Sequence, residues 1–344
     1  MRVALDAQLA IGTATGIGEY VRGLARALRN SGTDVVELSE PGLDPWRFDR
    51  RILWDQVLLP RRARASGADV LHCASGTVPY FSSLPLVATV HDVAWLRVQA
   101  HAPAYARYYF GAFSVERYRM VAQIAVDSEF SRGELLRVLA GYDADRVHVV
   151  YPGVADDFCA LRRRAGDGRT ILIVGTVERR KNLDALIRLL PELDGARIVS
   201  VGPPTPYQAE CAAVANDAGL ADRVEFRGYV EREELLELYA TCGVVAVPSQ
   251  YEGFGYAAAQ ALCSGTPCVV SDQGALPEIV AGDAPIVAMD DVSAWRAALG
   301  CALRGEDDVR AAAVRERAIA RLAWAASARK MESVYADALT AHAP

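Results

Sequence analysis

The sequence has no run approaching 18 apolar residues, no Cys-x-x-Cys pair, no internal repeat and no low-complexity tract. Without the first, no membrane-spanning helix is expected. Without the second, and with an odd total of seven cysteines, neither a disulfide framework nor a thiolate zinc site is indicated. Reduced and mostly buried thiols in a cytoplasmic protein are the expectation. The start, MRVALDAQLAIGTATG, sets Asp6 inside its apolar run and glycine-rich sequence behind it. That suits a first buried strand better than a signal peptide. An excess of positive charge is also lacking, since the net charge is −6, which argues against general nucleic-acid binding. The acidity is uneven: residues 1–169 hold 21 basic and 19 acidic side chains, and the rest hold 16 and 24.

What is present is a soluble globular composition, 52% hydrophobic and 23% charged, over 344 residues. That length exceeds one ordinary core, and two domains are expected. Short β-branched runs alternate with helical patterns almost throughout. Strands are expected at 2–6, 34–38, 69–73, 86–92, 123–128 and 146–153. Between the first two lies GEYVRGLARALRNSG, with Val21, Leu24, Ala25 and Leu28 at helical spacing. Residues 155–169, ADDFCALRRRAGDGR, are polar and charged and read as a linker. The alternation restarts with strands at 170–175, 196–202, 223–230, 243–249, 267–272 and 284–290. Such alternation implies α/β architecture, here two Rossmann-like domains with parallel sheets facing a cleft. The expected boundaries are 1–160 and 165–324. Ligands of such sheets bind beyond the carboxyl ends of the strands.

Four motifs stand at such ends. GTATGIGEY, with Gly16 and Gly18, opens a helix after a strand, where backbone N–H groups bind phosphate; a plain tight turn is the other reading, and the dinucleotide spacing is missing. TVHDVAWL puts His91 and Asp92 after an apolar strand, where a histidine can donate to a hydroxyl or share charge with a phosphate. His72, His101, His148 and His342 are read as ordinary structural histidines. In VGTVERRKNLDALIRLL, three cations, Arg179, Arg180 and Lys181, precede a helix start. That is poor placement for the helix dipole unless an anion sits between them. PSQYEGFGYAAAQALCSG holds Glu252 in a glycine-rich strand-to-helix turn, with Gln260 one helical turn later. A fifth stretch, GYDADRVHVV, offers Asp143 and Asp145 at metal-like spacing, but before a strand, where caps and turns belong.

In order and spacing these pieces, together with VDSEFSRGEL, VVYPGV, FRGYVEREELLELYATC and the closing LAWAASARKMESVYADAL, resemble the family-4 retaining glycosyltransferases of GT-B fold. The likeness spans essentially the whole chain and is closest to bacterial mannosyl- and hexosyltransferases of surface polysaccharides. It implies an acceptor domain at 1–160, joined by a final helix at about 325–344, and a nucleotide-sugar donor domain at 165–324. It further implies no cofactor, no essential metal, and a nucleoside-diphosphate sugar as donor, with GDP-mannose favoured. The acceptor would be a glycan, a lipid-linked saccharide or a natural product.

By the same resemblance, Lys181 and Arg180 take the diphosphate with the N–H groups of Gly253, Phe254 and Gly255. Glu252 orients the sugar hydroxyls, and His91 contacts sugar or diphosphate. Gly228, Tyr229 and Val230 line the base pocket, and Gln260 meets the ribose. Two positions depart from the pattern: Thr176 stands where many members have arginine, and Gln260 where they have the closing glutamate of E-x7-E. The alternatives are a non-catalytic sugar-nucleotide-binding subunit and a GT-B epimerase or phosphorylase. The arginines of LPRRARASG (59–67) suggest peripheral contact with an anionic membrane at its inner face.

Overall fold

The computed structural model describes residues 1–11, 16–44, 46–94 and 108–341. Residues 12–15 of the first glycine-rich loop, Trp95 and Leu96 of the TVHDVAWL motif, and both His101 and His342 lie outside them. The chain divides into two compact units, Met1–Gly153 with Ala323–Pro344, and Val154–Leu322.

Unit 1 is built on six parallel strands, β1 (Arg2–Asp6), β2 (Asp34–Leu38), β3 (Val70–Cys73), β4 (Leu86–Val90), β5 (Gln123–Val126) and β6 (Val147–Val149), in the order β2-β1-β3-β4-β5-β6. Strands β3, β4 and β5 are buried along their whole length, so they read as continuous apolar runs rather than alternating ones. One face of the sheet is covered by the helix Gly16–Asn30, whose Val21, Leu24 and Leu28 are fully buried. Each such side chain contributes about 1.5–3 kcal/mol by leaving water.

The helix Trp324–Thr340 packs on the same face through Met331, Val334 and Tyr335. Its seat requires glycine. A Cβ at Gly23 would lie 2.1 Å from the Trp324 indole, and one at Gly153 would lie 2.3 Å from it. The opposite face buries Trp54, Leu59, Tyr118 and Leu135.

Unit 2 repeats the plan with β7 (Thr170–Val174), β8 (Arg197–Val201), β9 (Val224–Gly228), β10 (Val244–Val247), β11 (Cys268–Ser271) and β12 (Ile286–Val287), all parallel, in the order β12-β11-β10-β7-β8-β9. Every strand expected from the sequence is present, trimmed by a residue or more at most ends. Leu183, Leu186, Ile187, Tyr207, Trp295 and Leu299 close one face. Residues 155–169, read above as a linker, are built into this unit. Phe158 is fully buried with its ring 5.0 Å from that of Tyr239, and Arg164 N and Asp167 N donate to Ala240 O and Thr241 O. Most of its charged side chains look outward, while Phe158 and the largely buried Arg163 anchor it, a split that composition alone conceals.

Strand order reverses between β7 and β10 in unit 2, and between β1 and β3 in unit 1. Chain segments leaving the two central strands diverge there and open a crevice, the place where doubly wound sheets take ligands.

Candidate active site

At the β7/β10 reversal two loops distant in sequence meet. After β7 the chain turns through Gly175 into a short 3-10 turn, Arg179–Lys181, which ends at Asn182 in the left-handed region (φ 56°). After β10 it runs through Ser249 and Glu252 to Gly255, which stands before the helix Tyr256–Ser264 with φ 99°. Gln250 N donates to Arg180 O at 2.7 Å and fastens one loop to the other.

Glu252 is the centre of this junction and is only 7% exposed. Its Oε1 accepts from Lys181 Nζ at 2.5 Å and from Ser249 Oγ at 2.7 Å, and its Oε2 accepts from Arg180 Nη1 at 3.3 Å. Burial alone would raise its pKa, yet Lys181 and Arg180, with the Lys181 and Ser249 hydrogen bonds, hold it below the usual carboxylate range. The carboxylate is therefore ionised, fixed and flanked by two cations, in front of a helix N-terminus that adds partial positive charge. Arg180 Nη1 also donates to Tyr251 O at 3.0 Å, and its Nε to Glu178 at 2.9 Å.

Lys181 is one of only two lysines among 37 basic residues. Lysine differs from arginine in being a compact, mobile point charge, able to leave one anion for another. That scarcity is a compositional signal that sets Lys181 apart from Arg179 and Arg180.

Three supporting residues were missed. Ser249 is fully buried and aims its hydroxyl at Glu252. Gly274 lies behind the turn. A Cβ there would stand 2.6 Å from Glu252 O and 2.7 Å from Glu252 N, and Ala275 N donates to Glu252 O at 3.0 Å. Tyr239, fully buried, donates to Gln260 Oε1 at 3.0 Å. The acceptor end of Gln260 is thus engaged from within, which leaves its amide NH₂ as the end available to a ligand. Phe254 is buried with its ring 5.1 Å from that of Tyr256. Gly228 ends β9 with φ 64°, and after it Tyr229 is exposed and Val230 half-buried.

The candidates in unit 1 behave differently. His91 follows β4, but both ring nitrogens are engaged: Nδ1 with Asp127 Oδ2 at 2.8 Å and Nε2 with Ala74 O at 3.0 Å. The ring of Tyr20 stands edge-on to it at 4.8 Å. Burial alone would lower the His91 pKa, but Asp127 and the Ala74 carbonyl hold it above the ordinary value. Burial also pushes Asp127 upward. We take the pair as ionised, because two acceptors facing one imidazole require it to donate twice. Asp92 accepts from Ala94 N at 3.0 Å. Gly16 and Gly18 sit in the first turn of the helix Gly16–Asn30.

Asp143 accepts from Asp145 N at 3.0 Å and caps the 3-10 turn Ala144–Arg146. Among the described residues, no group of three or more His, Cys, Asp or Glu side chains could hold a metal ion. No helix of the described residues is long and apolar enough to cross a membrane.

Two doubly wound parallel sheets in tandem, the second with a cation-flanked carboxylate at its reversal point, define a glycosyltransferase of GT-B fold. The chain belongs to glycosyltransferase family 4. Residues 14–158 match the family described as Glycosyltransferase Family 4, and residues 168–304 match Glycosyl transferases group 1. Among its relatives is the D-inositol 3-phosphate glycosyltransferase of Xylanimonas cellulosilytica, 34% identical over 95% of this chain and 93% of the relative. Similar solved structures include sucrose-phosphate synthase from Thermosynechococcus elongatus, at TM-score 0.75 and 21% identity over 98% of each chain. Another is HepE of Anabaena in complex with UDP-glucose, at TM-score 0.73 and 16% identity over 98% of this chain and all of HepE.

Proposed function

We propose that this glycosyltransferase moves a hexosyl group from a nucleoside-diphosphate sugar to a hydroxyl of its acceptor, with retention at the anomeric carbon. The observation that carries the reading is the Glu252 carboxylate held between Lys181 and Arg180 at the strand-order reversal. A departing nucleoside diphosphate gains negative charge as the glycosidic bond to phosphate breaks, and preorganised cations and N–H groups favour that state over the ground state.

Lys181 leaves Glu252 for the diphosphate when the donor enters, with Arg180 and the Gly253–Gly255 turn beside it. Glu252, relieved of one partner, accepts from donor-sugar hydroxyls and fixes the ring. An amide cannot replace it, because half its polar atoms are donors. Tyr229 and Val230 border the base, and the Gln260 amide meets the ribose. His91, charged and held by Asp127, contributes through its field or its CH edge rather than through a spare N–H. Unit 2 is the donor domain and unit 1 the acceptor domain in this reading.

Mannose from GDP-mannose remains the donor favoured by the sequence, and the UDP-glucose carried by HepE makes the uridine sugars its rivals. For the acceptor, the named relatives add a phosphorylated polyol to the glycan, lipid-linked and natural-product classes. Arg61 and Arg64 are exposed on the helix Leu59–Ala65, which supports contact with anionic lipid; sedimentation with vesicles that ignores anionic lipid content would count against it.

The decisive experiment is a donor panel. Purified protein is incubated with GDP-mannose, UDP-glucose and UDP-N-acetylglucosamine, with and without acceptors, and the anomeric proton of the product is followed by NMR. Retained configuration supports the proposal. Inversion, or binding of every donor with neither hydrolysis nor transfer, overturns it.

A further inference from the structure

Away from the donor loops, unit 2 places two of its cysteines against each other. Cys159 lies near the end of the short helix Asp156–Ala160, and Cys263 near the end of the helix Tyr256–Ser264. The two thiols are near enough to perturb each other's ionisation, both are unbridged, and Cys159, whose Sγ points to Val154 O at 4.0 Å, is the part-exposed partner of a buried Cys263. The contact is unequal. The neighbouring Cys263 thiol holds the Cys159 thiol below its ordinary pKa with help from Arg315, while burial and the adjacent Asp156 and Asp157 work against this. Cys263 is held well above its own.

A cavity of about 440 Å³ opens on the residues that follow both cysteines. Ala160 and Leu161 line one side, Ser264 and Gly265 another, and Ala312 with three arginines, Arg162, Arg163 and Arg315, completes the wall with no acid among them. The Nε atoms of Arg163 and Arg315 are buried and have no hydrogen-bond partner among the described residues. One acid outside the wall, Asp308, approaches Arg163 at 3.4 Å. Arg315 also donates to Cys159 O, which ties the cavity to the thiol. A cationic pocket beside a thiol with thiolate character is the environment in which cysteines react.

We propose that Cys159 and Cys263 form a redox-modification site, at which an anionic low-molecular-weight disulfide docks on the arginine wall and oxidises the pair. The Cys159 thiolate attacks one sulfur of the docked disulfide and expels the first small thiolate, which takes up a proton. The Cys159 sulfur carries no charge in the mixed disulfide, so Cys263 loses the adjacent thiolate that kept its proton on. It deprotonates and attacks the Cys159 sulfur, and the second small thiol leaves. Two protein thiols become one disulfide, and the small disulfide is reduced to two thiols. The product ties the Asp156–Ala160 helix to the helix that begins at the donor-site turn.

Cys301 supplies an internal control. It is also part-exposed, but the Glu306 side chain, with burial, raises its pKa, so it should react slowly. The test uses the folded full chain and oxidised glutathione as probe, with thiols counted after unfolding and peptides mapped by mass spectrometry. Two of the seven thiols should disappear, with Cys159 joined to Cys263 and no glutathione retained. In Cys263→Ser, one glutathione should remain on Cys159, and Cys159→Ser should lose neither thiol nor gain an adduct.

The neutral probe 2-hydroxyethyl disulfide should react about tenfold more slowly than oxidised glutathione, as electrostatic steering predicts, and Arg162→Ala should narrow that gap. An adduct chiefly on Cys301, a Cys263→Ser protein that traps nothing on Cys159, or equal rates for both probes would overturn the proposal. Unchanged melting of each variant certifies that the readout is chemical.

Discussion

The two units share one architecture and treat their candidate residues in opposite ways. In unit 2 the charged groups after β7 and β10 converge on one another across 71 residues of sequence, and Lys181 and Glu252 hold each other. In unit 1 the histidine after β4 is bound to its own unit at both nitrogens. Placement at the carboxyl edge of a sheet is therefore not enough to make a site. The groups must also have partners that a ligand can replace. A lysine–carboxylate pair beside a crevice can be exchanged for lysine–phosphate and carboxylate–hydroxyl contacts, whereas an imidazolium between a buried aspartate and a backbone carbonyl has nothing left to give.

The sharpest way to break this contrast is Glu252→Gln. Removing the charge that orients the sugar, while leaving Lys181 and Arg180 without their shared partner, should reduce kcat by about 100-fold or more. A loss under threefold, measured with the best donor of the panel, would move the site elsewhere.

Lys181→Ala comes next. It removes one charge-assisted phosphate contact, about 1.5–3 kcal/mol, and should lower kcat/KM about tenfold or more. It also leaves the buried Glu252 carboxylate with Arg180 as its one remaining cation, which should lower stability by less than the ~3–5 kcal/mol of a fully unpaired buried charge. Lys181→Ala combined with Glu252→Gln should recover stability but not activity. Recovery of neither would show that the pair is not what ties the two loops together.

The contrast has a pH signature. The Glu252 carboxyl has a lowered pKa in the folded protein, so its contribution is present above its unfolded value and is lost as pH falls through the folded one. That puts the loss below about pH 4.3, the ordinary glutamate value. His91 has a raised pKa. Its contribution is complete below about pH 6.5, its unfolded value, and is lost as pH rises through the folded value. Melting curves of the wild type, Glu252→Gln and His91→Gln across pH should diverge accordingly. The first variant should match wild type only at the acid end, and the second only at the alkaline end. A His91→Gln deficit that grows with pH would reverse the assignment.

The smallest effect is expected from Gln260→Glu. Tyr239 would go on donating to the oxygen at position 260, and the added charge would lie toward the ribose rather than the anomeric carbon. Turnover should stay within about threefold of wild type, with the donor KM carrying most of the change. A variant that acquired activity absent from the wild type would mark this chain as a degenerate transferase.

Much of this was legible in the sequence. The inner strands could be read because parallel strands buried on both faces are largely apolar runs, the outer ones through their β-branched residues, and the helix Gly16–Asn30 because its apolar stripe has helical spacing. The convergence of Lys181 on Glu252 could be expected only through family resemblance, since no local pattern relates residues 71 apart. The engagement of His91 was hidden for the same reason: Asp127 and Ala74 belong to other strand ends, and nothing near His91 names them. Gly274 was invisible because its role is steric, a missing Cβ behind the Glu252 backbone. The Cys159–Cys263 contact joins two helices whose sequences carry no pairing signal. The scarcity of lysine was legible too, and it marks Lys181 more sharply than its arginine neighbours.

The central claim is that Lys181 and Glu252 exchange each other for the two halves of one donor. Calorimetric titration of a nucleoside diphosphate and its sugar conjugate into wild type, Lys181→Ala and Glu252→Gln tests it most directly. Lys181→Ala should weaken both ligands about tenfold or more. Glu252→Gln should weaken the sugar nucleotide while leaving the bare diphosphate bound as well as before or better, because a competing carboxylate is gone. If Lys181→Ala, still folded, bound the diphosphate with wild-type affinity, or if Glu252→Gln weakened both ligands equally, the exchange would be contradicted.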